Sequence, residues 1–465
     1  MDAITYGNLI LTLGDTELSV LEFAVSEEPG KHGRLSADAA AQEGEKDYLL
    51  YEEGGDVSVY AVQGEERTPL FFGIITKMKI RTVGRQCVVH LEAVTQSYQM
   101  DLSAWNRTYQ DTALTSYQML ELIIEPYWPF AQILASIPEE ELGQIVVQYQ
   151  ETDWAFLNRI LSAYGVRACV DSTSPGICIR AGLMDISEET DWDSLPYTVS
   201  RNTAPKNVEC ALKGQICYSV EAYEIVPLGE MVEFHGLELY IGKIERTIRK
   251  GLLVNRYSLY FEEGMEVSRY YNPFLSGVSI NGIVTAVKRD TLLAWMETDV
   301  LMQCQRKYFF PFSTVAASPD GSGWYCMPRR GDRVRIFFPT DDEREGYAIA
   351  NLYGESKPAP GSPIENPDAK DITMPDGKSV RFITGGIQLA VGENKGTVTL
   401  TNDGKAEIRT DESIDIGAAE ELYFTTEGEM TIKAGTQIQI TSDSGAGICL
   451  TQDTAKISAD TIWNN

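Results

Sequence analysis

The last hundred residues of the chain contain apolar pairs that recur every eight residues. The two members of a pair are two residues apart, so they lie on the same face of a strand. Each octad therefore predicts one short strand followed by a turn, and turn-forming residues such as Asn402–Gly404 separate the pairs. The seven consecutive pairs are Val398 with Leu400, Ala406 with Ile408, Ile414 with Ile416, Leu422 with Phe424, Met430 with Ile432, Ile438 with Ile440, and Ala446 with Ile448.

A strict short period of this kind favours a β-solenoid or an interlocked β-prism over a globular domain. A one-chain solenoid needs about 18 or more residues per coil to form three walls, whereas eight residues form one wall. We therefore predict that three chains each supply one wall per layer, which also pairs the strand edges between chains. All the paired residues except Ala446 are assigned to the predicted trimer-axis core. An ordinary antiparallel meander is the alternative, and it predicts variable strand spacing.

Length and charge limit the remaining possibilities. A chain of 465 residues favours about three domains. With 68 acidic against 39 basic residues, the net charge of -29 argues against binding to nucleic acid or to an anionic membrane surface. The N-terminus has neither the basic nor the apolar segment of a signal peptide, so we expect synthesis in the cytoplasm.

Residues 1–272 combine strand patterns with two helices and predict a β-barrel or a strongly curved sheet. The first helix is predicted over 117–125, capped by Ser116 and stopped by Pro126. The second begins after Thr152 as the N-cap, has Asp153 in its first turn, and ends at Gly165.

Three further segments follow in the C-terminal half. Residues 273–355 predict a small barrel of the OB type, with strands over 280–287, 292–302, 333–338 and 346–352. Residues 356–370 are a proline-rich linker, which we expect to be extended. Residues 371–465 form the predicted shaft of octads. The predicted fold class is thus mainly β: a barrel or curved sheet with a few helices, an OB-fold and a trimeric β-helix.

Two motifs in this order resemble the VgrG and phage tail-spike family of contractile injection systems. Tyr149–Val166 is similar to the family pattern Y-x-E-[ST]-D-x-x-F-[LI]-x-R-[IL] and the following Y-G-[IV]. Gly323–Tyr325, Met327–Val334, Phe337–Phe338 and Ala348–Tyr353 resemble the family's OB-fold. The octads resemble its trimeric β-helix, although Ile and Leu stand where the family favours Val.

The resemblance implies a division of labour and a set of partners. Residues 1–272 would be the hub, with two β-barrels per chain and a few helices, on which a hexameric inner tube and baseplate proteins dock. The OB-fold would be a collar. The shaft of a homotrimer would pierce mechanically, would meet the target membrane only transiently, and would carry a PAAR-type tip protein at its C-terminal apex. After synthesis in the cytoplasm, the protein would be assembled into the particle and delivered outward on contraction.

The sequence contains no recognisable catalytic or metal-binding pattern. His32, His90 and His235 are isolated, and no nucleophile-elbow, zinc-protease or P-loop motif is present. Carboxylate runs such as Glu139–Glu141 and Asp341–Glu343 are typical of solvated loops. We therefore predict no catalytic residue, no cofactor and no metal. Two other functions remain open, a trimeric receptor-binding fibre and a spike with cell-wall hydrolase activity.

Overall fold

The computed structural model describes residues 4–42, 44, 49–50, 55–84, 86–184, 190–201, 212–301, 307–316, 318, 324–350, 370–374, 376–392 and 394–463. These fall into two compact units, divided between Tyr353 and Gly354. Within the described residues, no helix combines the length and the apolar character needed to cross a membrane.

The first barrel is a closed six-stranded sheet near the N-terminus. Its strands are β1 (Leu9–Leu13), β2 (Thr16–Glu27), β3 (Arg34–Gln42), β4 (Asp56–Gln63), β5 (Glu66–Val83) and β6 (Gln86–Thr95). The strand order is β1-β4-β5-β6-β3-β2, and pairing between β1 and β2 closes the barrel. Alternation places one face of each strand inside, as in β6, where Cys87, Val89, Leu91 and Ala93 are buried.

An α/β subdomain follows the first barrel. Its elements are β7 (Ala104–Tyr109), α1 (Ser116–Ile124), β8 (Ala131–Ala135), β9 (Val146–Thr152), α2 (Asp153–Ser162), β10 (Ala168–Val170) and β11 (Ile177–Ala181). Both predicted helices are present, but Thr115 rather than Ser116 caps α1, because the Thr115 hydroxyl accepts from the Gln118 backbone N–H. Short 3-10 turns lie at Tyr6–Asn8, Gln96–Asp101 and Glu125–Tyr127.

The second barrel continues the sheet of the first. Its strands are β12 (Tyr197–Arg201), β13 (Ile216–Ala222), β14 (Met231–Phe234), β15 (Leu237–Arg249) and β16 (Leu252–Tyr260), followed by the one-turn helix α3 (Glu262–Met265). Strand β15 pairs with β2, so one eleven-stranded sheet serves both barrels. The order β14-β15-β16-β13-β12 leaves this barrel nearly closed, with an apolar core of its own.

The small barrel packs against the α/β subdomain within the same compact unit. It is formed by β17 (Val278–Lys288), β18 (Thr291–Met296), β19 (Phe310–Pro311), β20 (Arg333–Phe338) and β21 (Tyr347–Ala350), in the order β19-β18-β17-β20-β21. Strand β18 ends at Met296, earlier than predicted, because the chain turns there and the Asp299 carboxylate accepts from the Met296 N–H. Ile145 and Val147 from the α/β subdomain complete its apolar core.

The second compact unit holds the octads as two antiparallel sheets. One contains β22 (Lys370–Thr373), β23 (Ser379–Ile383), β24 (Gly386–Val391), β25 (Gly396–Thr401) and β26 (Ala406–Thr410); the other contains β27 (Gln437–Thr441), β28 (Gly447–Thr451) and β29 (Ala455–Ser458). Residues 411–436 form no strand, which departs from the prediction of one strand per octad. The predicted linker lies almost entirely outside the described residues.

Candidate functional site at the junction of the α/β subdomain and the small barrel

Helix α2 is held at its first turn by two hydroxyl hydrogen bonds. The Thr152 Oγ1 accepts from the Ala155 backbone N–H at 3.1 Å, which is the predicted N-cap. The same hydroxyl donates to the Asp101 carboxylate at 2.5 Å. The cap therefore also anchors α2 to the turn that leaves the first barrel.

Arg159 on α2 joins two carboxylates that come from opposite sides of the junction. Its Nε lies 3.0 Å from Glu151 on β9, and its Nη1 lies 2.6 Å from Glu343 in the small barrel. Its Nη2 also donates to the Val147 carbonyl at 2.8 Å. All three charged side chains are less than one-tenth exposed. The guanidinium is thus a buried bridge between two domains.

The electrostatics of this bridge follow from burial and pairing. Burial raises the pKa of the Glu151 carboxyl, and the nearby Arg159 only partly offsets this effect. Burial also opposes the charged form of Arg159, but Glu343 and Glu151 together keep its pKa above the ordinary value. A guanidinium that stays charged needs both carboxylates, since an unpaired buried charge is costly.

Asp153, the next acid of the motif, is the centre of a second buried network. Its carboxylate accepts from Arg107 at 2.8 Å, from the Tyr127 hydroxyl at 2.8 Å and from the Gln148 side chain at 2.9 Å. Burial, followed by the hydrogen bond to Asp153, raises the pKa of Tyr127. The network fixes β7, β9 and the start of α2 relative to one another.

Main-chain hydrogen bonds continue the junction along β7. The Thr108 N–H donates to the Thr298 carbonyl at 2.7 Å, and the Val300 N–H donates to the Thr108 carbonyl at 3.1 Å. The Gln110 amide donates to the Asp299 carboxylate at 2.9 Å, and burial raises the pKa of that carboxyl. The two domains are therefore joined by backbone, by apolar contacts and by buried charges at once.

The arrangement is suited to holding two domains together rather than to binding a ligand. Each carboxylate of the Arg159 bridge is occupied by the guanidinium, although Arg159 and Glu343 also line a small pocket of about 150 Å³ beside Tyr164 and Arg269. Among the described residues, no group of three or more His, Cys, Asp or Glu side chains has a metal-binding arrangement. The candidate functional role of this site is mechanical coupling.

Glu343 corrects an expectation from the sequence. The run Asp341–Glu343 was expected to be a solvated loop, but Glu343 is buried at 2% exposure because it pairs with Arg159. Arg107, Tyr127 and Gln148 were also absent from the sequence-based candidates. Arg159 stands among apolar residues such as Phe156 and Ile160 in the sequence, and this is the signal that could have pointed to a carboxylate partner such as Glu343.

The predicted trimer-axis residues lie in the second compact unit and share one sheet face where strands form. Leu389 pairs with Val398, which pairs with Ile408, and Leu400 pairs with Ala406. In the other sheet Ile438 pairs with Leu450, and Ile440 pairs with Ile448. In the seventh octad, strand β28 therefore aligns Ile448 and Leu450 with the preceding pair, instead of the predicted Ala446 and Ile448. Six predicted residues lie in the segment without strands: Ile414, Ile416, Leu422, Phe424, Met430 and Ile432. That all of them line a trimer axis stays a prediction.

These apolar side chains are largely open in the single chain. The large exposed side chains among them range from 37% exposed for Val398 to 68% for Ile432, whereas Ile438 is half-buried. So many exposed large apolar side chains in one unit are unusual on a chain that functions alone.

Comparison with known proteins identifies the fold. Residues 35–184 match the family model described as phage tail baseplate hub (GPD). The solved structure of the E. coli c3393 protein, described as a type VI secretion component similar to T4 bacteriophage tail proteins gp27 and gp5, matches with a TM-score of 0.51. It is 14% identical, and the match covers 73% of this chain and 98% of that one.

A second solved structure matches over more of the chain. The Francisella PdpA-VgrG complex in its half-lidded form has a TM-score of 0.52 at 8% identity, covering 86% of this chain and 87% of that one. No curated protein sequence matches this chain. The matched segment and the shared fold bear out the resemblance: residues 35–184 carry the baseplate-hub pattern, and the chain shares its fold with these two solved structures.

Proposed function

We propose that this protein is the homotrimeric spike and hub of a contractile injection system, and that it acts mechanically and not as an enzyme. The observation that carries the proposal is the apolar face of the shaft. In the single chain the octad side chains stay exposed, and residues 411–436 lack strand partners. Two further copies would cover this face and supply the missing backbone partners.

The energetic argument favours assembly. Burying one large aliphatic side chain contributes roughly 1.5–3 kcal/mol, and each layer of a trimer buries such side chains from three chains. Strands that are hydrogen-bonded between chains also make a shaft that is stiff along its axis. The Arg159 bridge would then transmit force from the hub to the small barrel.

The proposed partners follow from this architecture. The two barrels of each chain would give a ring of six in the trimer, matching a hexameric inner tube and the surrounding baseplate. A PAAR-type tip protein would close the apex, and the protein would be made in the cytoplasm and delivered outward on contraction. The matched structures, a type VI secretion component and a PdpA-VgrG complex, support this setting.

The decisive experiment is the solution mass of the purified chain by light scattering. We expect a mass near three times 51.7 kDa. Deletion of residues 371–465 should reduce the mass to that of a single shortened chain, because it removes the shared apolar face. If the full chain is a monomer at micromolar concentration and the deletion variant is a monomer as well, the trimeric shaft is contradicted.

A further inference from the structure

One end of the small barrel carries large apolar side chains on its surface loops. Val315 is 92% exposed, Tyr325 73% and Trp324 49%. The Trp324 N–H donates to the Ala316 carbonyl at 2.8 Å, and the Thr314 hydroxyl donates to the Trp324 carbonyl. These two bonds bracket Val315, so its backbone lies next to that of Trp324. We call Val315, Trp324 and Tyr325 the loop tip.

Four basic residues lie at the same end of the barrel. Lys288 and Arg289 belong to the turn between β17 and β18, and the Tyr325 hydroxyl of the loop tip donates to the Arg289 carbonyl at 2.8 Å. Arg330 and Arg333 belong to the loop that enters β20. All four side chains are exposed, and none has a carboxylate within ion-pair distance in the part of the chain that the structure describes.

Acidic residues are fewer at this end. Asp290 and Asp332 belong to the same turns, and Asp320 is in the neighbouring segment outside the described residues. The acids of 297–299 and 341–345 come after β18 and β20, which both carry the chain from this end to the junction with the α/β subdomain. The four unpaired basic residues therefore outnumber the acids around the loop tip, even when Asp320 is counted.

An exposed apolar tip beside unpaired cations favours a membrane surface over other anionic partners. Trp and Tyr side chains lie at the level of lipid headgroups, and Lys and Arg attract anionic headgroups. Val315 is aliphatic and cannot stack on a nucleobase, so the tip is less suited to single-stranded nucleic acid. The net charge of -29 still permits a local contact, because the Debye length at physiological salt is about 8 Å and distant acids are screened.

From these observations we propose that the loop tip of the small barrel is a contact site for bilayers that contain anionic lipid. The three apolar side chains enter the headgroup layer, and the four basic side chains pair with lipid phosphates. A plane of headgroups touches only the outermost loops, so the acidic remainder of the chain stays in solvent. The proposal does not depend on the trimeric shaft, so vesicle binding and the mass measurement can fail separately.

The test is sedimentation of the intact chain with vesicles in about 0.15 M NaCl. One set of vesicles contains equal parts of phosphatidylcholine and phosphatidylglycerol, and the other contains phosphatidylcholine alone. We expect saturable binding to the anionic set, weakened at least tenfold in about 1 M NaCl, where the Debye length is about 3 Å. Equal binding to both sets, or no binding to the anionic set, would overturn the proposal.

Charge variants locate the contact. Arg330→Glu combined with Arg333→Glu should weaken binding to the anionic vesicles at least tenfold. Lys79→Glu combined with Arg81→Glu is the matched control, a pair of exposed charge reversals on the first barrel, and should leave binding unchanged. Because all four side chains are exposed, we expect both double variants to keep the wild-type melting temperature. Equal weakening by the two pairs would mean attraction by overall charge and would overturn the site.

Insertion of the loop tip is tested through Trp324. With bromine on the lipid chains close to the headgroups, we expect quenching of tryptophan fluorescence that Trp324→Phe removes, while this variant still sediments with the vesicles. Val315→Asp should weaken vesicle binding at least tenfold, whereas Leu21→Asp, at an exposed position of the first barrel, should leave it unchanged. Quenching that persists in Trp324→Phe would place another tryptophan at the membrane and contradict the proposal.

The same proteins test two other occupants of the loop tip. If the chain binds a single-stranded oligonucleotide but not the anionic vesicles, the site belongs to nucleic acid. If the wild-type chain does not bind the vesicles and Val315→Asp lowers its solution mass, a second copy of the chain covers the tip. Either result would show that the lipid assignment is wrong.

Discussion

Arg159 shows how much a single residue can contribute to joining two domains. Its guanidinium is buried between Glu151 and Glu343, and it reaches the Val147 carbonyl as well. The contribution of the bridge to stability is measured by replacing Arg159, because Glu151 and Glu343 then stay buried without a counter-charge.

Arg159→Met is expected to lower the free energy of unfolding by about 3–5 kcal/mol. The measurement is urea unfolding followed by tryptophan fluorescence. The control is Arg344→Met, since Arg344 is half-exposed beside Asp342 and such pairs contribute about 0–1 kcal/mol. Similar losses in the two variants would show that the Arg159 bridge has no special role.

His32 gives a prediction for pH at the same scale. Its Nδ1 lies 2.8 Å from the Ser97 hydroxyl, and its ring lies 4.4 Å from the ring of Trp154. Burial lowers the pKa of His32 below 6.5, although Asp101 opposes this and Arg34 adds to it. The unfolded chain then binds more protons than the folded chain as the pH falls through and below 6.5.

The His32 contribution to stability is therefore present above pH 6.5 and is lost as the pH falls from 6.5 through the lowered folded-state pKa. Melting temperatures between pH 8 and pH 5 measure this loss. In His32→Gln the part of the slope near pH 6 should be smaller, because a titrating group has been removed. An unchanged slope in that variant would assign the pH dependence to other groups.

At the scale of elements, the start of α2 depends on one hydroxyl. Thr152→Ala removes both the cap on the Ala155 N–H and the bond to Asp101. The expected loss is about 0.5–2 kcal/mol, measured by urea unfolding. Thr152→Ser keeps the hydroxyl and should retain most of the stability, whereas an equal loss in both variants would mean that the methyl group matters more than the cap.

The shaft strands differ from the barrel strands in whether the chain itself buries their apolar faces. In the first barrel the alternating residues of β6 are buried within the chain itself. In the shaft the aligned apolar residues of β24, β25 and β26 remain largely exposed. The same local pattern therefore produces a closed core in one case and an open face in the other.

At the scale of the whole molecule, the proposed trimer makes the octad face sensitive to charge. Ile432→Asp would place three carboxylates in one layer of the shared axis, so we expect the trimer to dissociate or to melt at a lower temperature. Light scattering and thermal melting measure the effect. Thr431→Asp is the matched control, because the neighbouring side chain points to the opposite side of an extended chain.

The trimer-axis assignment would be contradicted by one clear outcome. If Ile432→Asp leaves both the mass and the melting temperature as in the wild type, the apolar pairs do not line a shared axis. If Thr431→Asp is as harmful as Ile432→Asp, the two faces of the segment are equivalent, which the octad pattern does not allow.

The sequence by itself determined the local features. Alternating residues and the Thr152 cap act over a few residues, so helix α2 and strands β17 and β20 could be predicted with nearly correct bounds. The octads of residues 411–436 form no strand, and β18 ends earlier than predicted, because neither outcome is decided by local pattern alone. The helix cap at Thr115 was missed because adjacent Thr and Ser are equally able to cap, and only backbone geometry distinguishes them.

Only the tertiary structure decided which distant groups meet. Glu343 looked like a member of a solvated acidic run, and its burial against Arg159 depends on a contact across 184 positions of the chain. The joining of two barrels through β2 and β15 depends likewise on strand order. Local sequence sets the shape and polarity of each element, whereas pairing between elements is a property of the whole fold.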